Sequence, residues 1–351
     1  MRKLPLLVLP ALLLALTLPS GAAAALQIGI SESQPSMFQT PQFAQMGVKH
    51  TRVVVSYNVL ARANEGDDEI TRVTEYLETA QRLGVEPLVT FEHARGAAEE
   101  CKLNAALPQC YLPTVAEYEA NFNAFRARFP WVRTFAPWNE VNHHTQPTSK
   151  DPRRAAQFTN VAARNCAGCT IVVADILDQA DSVSAKKPKY KSTTRYIKKF
   201  KKALRVPRKL CGIHNYSDTN RFRQAGTKAL AKALKCKKLW LTETGGIAKF
   251  ASFKFSTKRQ LKATKYMFKL ARSTKKIKRI YVYTFFGGVT PRFDAGLIDS
   301  SKAGAVRPAF GEVVRQIQGV TGVAPKPATP KAKPKGDGKG KKGKGKKKAK
   351  P

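Results

Sequence analysis

What most constrains this chain is a cadence. Short β-rich apolar runs recur along it, and helical spacing fills the intervals between them. The runs are Leu26–Ser31, Thr51–Tyr57, Pro87–Glu92, Thr134–Asn139, Thr170–Ile176, Leu210–Tyr216, Leu239–Thr244 and Arg279–Phe286. Helical stretches cover about Asp68–Leu83, Val115–Phe129, Pro152–Asn165, Ser192–Leu204, Asn220–Leu234, Thr257–Ser273 and Pro308–Gln318; the interval around Pro41–Met46 is short and only weakly helical. Strands that alternate with helices pair in parallel through right-handed crossovers. Eight such units in one chain fit an α/β fold of the (β/α)8 TIM-barrel type. The rival, a doubly wound open sheet, normally carries a glycine-rich phosphate loop after its first strand. Here the first run leads into Ser31-Glu32-Ser33-Gln34-Pro35, which has none.

The two ends read differently. Residues 1–25 have a basic start, an apolar middle and a small-residue end, as expected of a secretory signal peptide. The apolar stretch falls short of the ~20 residues a spanning helix needs. The barrel domain is then expected over 26–323. Residues 324–351 form a tail dominated by Lys, Pro, Gly and Ala, with 12 Lys and one Asp. Like charges repel and nothing apolar is available to bury, so disorder is the expectation there. The whole chain carries +39, much of it outside the tail. Such a field favours anionic neighbours. An exported chain meets anionic cell-wall polymers or acidic glycans rather than a specific nucleic acid, and a monomer is expected.

The six cysteines of an exported chain suggest disulfides. Six permit 15 pairings, so sequence leaves the connectivity open. Proximity favours Cys101 with Cys110 and Cys166 with Cys169, while Cys211 and Cys236 begin neighbouring strands.

A barrel of this kind holds its chemistry at the C-terminal ends of the strands. The residues placed there are Arg52 and Tyr57 from the second run, Glu92 and His93 from the third, and Trp138, Asn139 and Glu140 from the fourth. Asp175 follows on the fifth, His214 and Tyr216 on the sixth, Glu243 on the seventh and Phe285 on the eighth. Glycoside cleavage needs a proton donor on one side of the bond and a carboxylate on the other, and Glu140 and Glu243 face each other across the mouth in this arrangement. No serine–histidine–aspartate set, phosphate loop or metal-ligand cluster competes, so neither cofactor nor metal is expected.

On Trp138-Asn139-Glu140 and Thr242-Glu243-Thr244-Gly245 the sequence resembles the large clan of retaining (β/α)8 glycosidases with catalytic glutamates on strands four and seven. Within it the β-glucanase-like and xylosidase-like groups look nearest, and the resemblance spans Leu26 to Gln318. It implies Glu140 as acid/base, Glu243 as nucleophile, Asn139 on the 2-hydroxyl of the sugar being cleaved, Arg52 beside the nucleophile, and His214 and Tyr216 lining the site. Burial beside Trp138 would raise the pKa of Glu140, as a proton donor requires. Val141 stands where the clan usually has proline, and Phe285 and Phe286 stand where many members have a tryptophan. The resulting expectation is a secreted retaining hydrolase of a β-linked polysaccharide, with a wall-bound carbohydrate-binding barrel that has lost turnover as the alternative.

Overall fold

A computed structural model describes residues 25–321 apart from 62–67, 97, 183–185, 252, 289–291 and 301–303. The expected signal segment, except Ala25, and the basic tail lie outside the described residues.

The eight expected strands form, in chain order, β1 (Gln27–Ser31), β2 (His50–Ser56), β3 (Glu86–Glu92), β4 (Thr134–Ala136), β5, β6 (Leu210–His214), β7 (Lys238–Thr244) and β8 (Ile277–Tyr283). Strand β5 is interrupted, comprising Thr170–Ile171 and Val173–Leu177. All pair in parallel. The first half of β5 pairs with β4 and the second half with β6, so the sheet closes on itself through this one broken strand. The fold is a (β/α)8 barrel.

Helices α1 (Pro41–Met46), α2 (Glu69–Arg82), α3 (Val115–Arg128), α4 (Pro152–Arg164) and α5 (Lys191–Ala203) follow β1 to β5. A short α6 (Tyr216–Asn220) precedes α7 (Ala225–Leu234), and α8 (Thr257–Ser273) and α9 (Pro308–Thr321) complete the ring. Local chemistry sets several starts. Thr114 and Glu117 cap α3 reciprocally, Asp151 accepts from Arg154 N at the start of α4, and Ser256 does the same for α8 through Arg259 N. Gly84 adopts φ +63 just after α2, where a residue with Cβ would be strained.

Several boundaries differ from the sequence reading: β4 stops at Ala136 and not at Asn139, and α7 starts at Ala225 and not at Asn220. Strand β6 stops at His214, and Tyr216 opens α6 instead of extending the strand. Strand β8 stops at Tyr283, so Phe285 lies beyond it and Phe286 belongs to a short strand, Phe286–Gly287, that pairs outside the barrel with Ile298–Asp299. The cysteines pair as Cys101–Cys110, Cys166–Cys169 and Cys211–Cys236.

Inside the barrel, Leu88, Ala136, Val172, Leu210, Trp240 and Tyr281, one each from β3 to β8, form a small apolar cluster of their own. Arg279 stacks on Trp240 and ties β8 to Gln27 and Glu86. Above this floor the interior turns polar, with Arg52, Asp175 and Thr242 all buried. Gly212 makes room for them. A Cβ there would stand 2.2 Å from Asp175 Oδ1 and 2.8 Å from Thr242 Oγ1. Gly212→Ala should therefore destabilise the chain by about 1–3 kcal/mol, as overpacking of a filled interior does. The midpoint of denaturant unfolding measures this, and an unchanged midpoint would mean that the polar interior has slack.

Candidate active site

The loop after β4 sets the first carboxylate. Asn139 N donates to Phe91 O at 2.6 Å on the β3 side, and Val141 N donates to Asp175 O at 3.0 Å on the β5 side. A proline at 141 would have no amide for that second bond, so valine here anchors the loop by a different means. Between these two ties Glu140 is held at φ +39, in the left-handed region that side chains rarely enter. A bulge at Ala174, φ 53, shifts the register of β5 just before Asp175.

Arg52, fully buried on β2, is the centre of the site. Its Nη1 donates to Glu243 Oε2 at 2.6 Å and to Ser31 Oγ at 3.1 Å. Its Nη2 donates to Asn139 Oδ1 at 2.8 Å and to Asp175 Oδ2 at 3.2 Å. The other oxygen of Glu243 accepts from Tyr216 Oη at 2.8 Å. Glu243 thus has a cation on one oxygen and a phenol on the other. Burial pushes the Tyr216 hydroxyl well up, and the charge of Glu243 adds to it, so the phenol stays protonated as a donor.

His214 is a second buried cation. Its Nδ1 lies 3.0 Å from Glu140 Oε1 and its Nε2 lies 3.1 Å from Asp175 Oδ2. Burial opposes its charge, but Asp175, Glu243 and Glu140 outweigh burial and raise it to about 10. Asp175 falls to about 2, because burial is outweighed by His214, Arg52 and a hydrogen bond from Thr242. Glu140 is lowered as well: burial raises it, yet the hydrogen bond and charge of His214, with His143 at 3.6 Å, prevail. This corrects the expectation of a raised pKa beside Trp138.

A carboxylate oxygen of Glu140, one of Glu243 and a nitrogen of His214 all lie within 4.8 Å of one another. Three such groups resemble a cation site. Arg52, whose Nη1 lies 2.6 Å from Glu243 Oε2, already places a positive charge beside this set.

The structure brings together Glu140, Glu243, Arg52, Asn139, His214 and Tyr216. Glu92 joins them by accepting from Asn139 Nδ2 at 3.3 Å, and burial raises its pKa. Three expected binding residues stand elsewhere. Trp138 is 1% exposed, packs on Phe158 and Tyr57, and donates Nε1 to Gln146. Phe285 is wholly buried against Phe43 and Phe286, because β8 ended two residues earlier. His93 is buried with its Nδ1 at 2.7 Å from Ala94 O. Neither the Trp138 nor the Phe285 ring offers a face to a ligand, so a sugar-stacking role does not fit their positions. The partly exposed rings near Glu243 are instead Tyr216, Tyr283 and Phe293, with centroids 5.5–6.3 Å apart. Tyr283 was visible near the end of the eighth run; Phe293 lies outside every run and carries no periodic signal. Glu32 was also missed. It accepts from Thr284 Oγ1 and Phe286 N, and so ties the end of β1 to the loop after β8.

No family model matches the chain, and no curated protein matches it in sequence. Solved structures do match. A GH5_18 protein from Streptomyces cattleya, solved with GlcNAc, aligns with a TM-score of 0.58 at 12% identity over 88% of this chain and 83% of its own. A GH10 endoxylanase retrieved from a sugarcane soil metagenome gives 0.57 at 12%, over 84% and 97%. A β-glucosidase from Thermotoga maritima gives 0.53 at 10%, over 84% and 98%. The fold is that of the (β/α)8 glycosidases. The resemblance carried by two short motifs thus extends to the whole architecture, while at such identities it speaks to fold alone.

The raised pKa of His214 has a consequence for stability. Its ion pairs contribute fully below about 6.5, the pKa of a free histidine, and that contribution is lost as pH rises through about 10. The difference in thermal midpoint between the parent and His214→Gln should therefore shrink steadily from pH 6.5 to pH 10. A gap that stays constant would mean that His214 is neutral in the folded chain.

Proposed function

We propose that this chain is a retaining glycoside hydrolase, with Glu140 as acid/base and Glu243 as nucleophile. The observation that carries the reading is the separation of these two carboxylates, whose oxygens approach within 4.8 Å across the barrel mouth. Retaining enzymes hold their carboxyls ~5–5.5 Å apart, whereas the inverting mechanism needs ~6.5–9.5 Å to admit water between them. The supporting groups suit the two roles. Arg52 and Tyr216 each donate to one oxygen of Glu243 and so fix its direction. Asn139 retains a second Nδ2 hydrogen for a sugar hydroxyl while Glu92 takes the first.

In this account Glu140 delivers its proton to the leaving glycosidic oxygen as Glu243 Oε attacks the anomeric carbon. The C–O bond breaks, a glycosyl ester forms, and the leaving sugar departs as an alcohol. Glu140, now a carboxylate, takes a proton from water. The hydroxide attacks the same carbon and restores Glu243. No cofactor enters either half. His214, close to both carboxylates, balances their charge while the proton moves.

We place this activity outside the cell, on a β-linked polysaccharide, with the basic surface and tail holding the monomer near anionic wall polymers. Three disulfides support export, and among the described residues no helix is long and apolar enough to cross a membrane. The barrel that binds glycan without turnover is disfavoured by the intact pair and its support.

A panel of soluble β-glucans, xylans and mannans with product analysis tests the reading. Release of reducing ends should fall by about 100- to 10,000-fold in Glu140→Gln and in Glu243→Gln, with a cooperative unfolding transition retained. Full turnover by purified Glu243→Gln would refute the assignment. The pH profile is a second check. Because His214 holds Glu140 low, kcat/KM should peak at acid pH and decline as Glu140 loses its proton. Replacing His214 with Gln should move that alkaline limb to higher pH; an unmoved limb would detach His214 from the acid.

A further inference from the structure

A row of rings leads from Glu243 to the surface. Tyr216, which donates to Glu243, meets Phe293 at 5.5 Å; Phe293 meets Phe250 at 5.9 Å, and Phe250 meets Phe253 at 6.3 Å. Every ring in the row is partly exposed. Backbone bonds fix the row in place. Phe253 N donates to Phe250 O at 2.7 Å, and Asp294 N and O exchange bonds with Lys249 at 2.9 and 3.1 Å. Arg307 clamps Asp294 from below at 2.6 and 2.8 Å. Phe250 and Phe253 after β7 and Phe293 after β8 therefore form one aromatic strip held by these bonds.

Two guanidinium groups stand at its outer end over the same ring. Arg259 Cζ lies 3.5 Å from the Phe253 centroid and Arg221 Cζ lies 5.4 Å from it. Neither has a carboxylate within 4.0 Å among the described residues. Arg259 donates from Nη2 to Asn220 O at 2.5 Å, while its Nη1 has no partner. Burial and then the charge of Arg221 push the pKa of Arg259 down. Two like charges beside one ring, with no acid between them, repel each other. Two arginines nearer the core are paired with carboxylates, Arg52 with Glu243 and Arg307 with Asp294. An anion that both guanidinium groups could face would relieve the repulsion, and charge-assisted bonds from arginine suit carboxylate, sulfate or phosphate oxygens.

We propose that this strip is an accessory substrate site in which Phe250 and Phe293 carry sugar rings and Arg221 with Arg259 receive an anionic substituent, making acidic glycans the preferred substrate class. The inference rests on the glycosidase reading and deepens it. The +39 charge of the chain is consistent with such a partner but does not localise it.

The test is binding by the full-length Glu243→Gln chain, so that affinity is read without turnover. Three probes share one backbone: a soluble β-1,4-glucan, the same glucan oxidised to the C6 carboxylate, and its C6 sulfate ester. The chain should bind one charged form or both more tightly than the neutral one, and which of them wins identifies the anion. Adding Arg221→Gln and Arg259→Gln should cut that preference about tenfold or more. A charge-matched control, Lys198→Gln with Lys199→Gln on the exposed side of α5, should leave most of it in place. Should Arg259→Gln disturb folding, Arg221→Gln alone reports the same direction, since its guanidinium stacks on Phe253 without a side-chain hydrogen bond of its own among the described residues. Equal losses in the arginine and lysine variants would assign the effect to diffuse charge and overturn the proposal. Failure of the parent to favour either charged probe would overturn it too. Hydrolysis of neutral glycans without any charge preference sinks this inference alone, whereas charge-selective binding by a chain that never hydrolyses sinks the glycosidase reading alone.

Discussion

The site depends on one buried cation. Arg52 has no exposed side-chain surface, yet it contacts Ser31 at the end of β1, Asn139 after β4, Asp175 on β5 and Glu243 on β7. Taking a guanidinium out of water is expensive, and only oriented partners offset that cost. Here every partner comes from a different strand end. The same bonds that compensate Arg52 therefore fix the relative positions of the strands whose tips hold the reacting groups. Removing the guanidinium would leave Asp175 buried with His214 as its remaining cation and Glu243 with one phenol and His214 at 3.9 Å. Stability and chemistry share this residue.

His214 completes the electrostatics. Two buried cations, Arg52 and His214, stand among three carboxylates, Glu140, Asp175 and Glu243. Burial keeps Glu92 towards its neutral form. The depressed pKa of Glu140 in the resting chain follows from the same geometry, because His214 lies nearer to Glu140 than to Glu243, at 3.0 against 3.9 Å.

Much of this was legible in the sequence, for a reason that also explains the failures. The eight strands are continuous apolar runs because a parallel barrel buries both faces, and that pattern survives without any alignment. The strand tips inherit their place from the runs, so Arg52, Asn139, Glu140, His214 and Glu243 fell together. Errors arose where a run outlasted its strand. Thr284-Phe285-Phe286 continues the aromatic pattern of β8 although the chain has already turned, and a buried loop phenylalanine is indistinguishable from a strand residue by hydrophobicity. Trp138 lies two residues past β4, and its indole is buried between Phe158 on α4 and Tyr57. Tyr216 was read as a strand residue, but it opens a helix, and its hydroxyl still reaches Glu243. The pKa of Glu140 could not be read at all, since it is set by a residue 74 positions away. The aromatic strip lay in loops whose contacts are set by backbone bonding between Lys249 and Asp294, which no periodicity announces.

The central claim is that Glu243 becomes covalently bonded to sugar. Incubation with an activated fluorosugar that forms the glycosyl ester quickly and releases it slowly tests this directly, with peptide mapping by mass spectrometry. The account predicts one sugar per chain, attached at Glu243 and absent from Glu243→Gln. Labelling at Glu92 or Glu140, or turnover of substrates to the inverted anomer with no adduct at all, would contradict it.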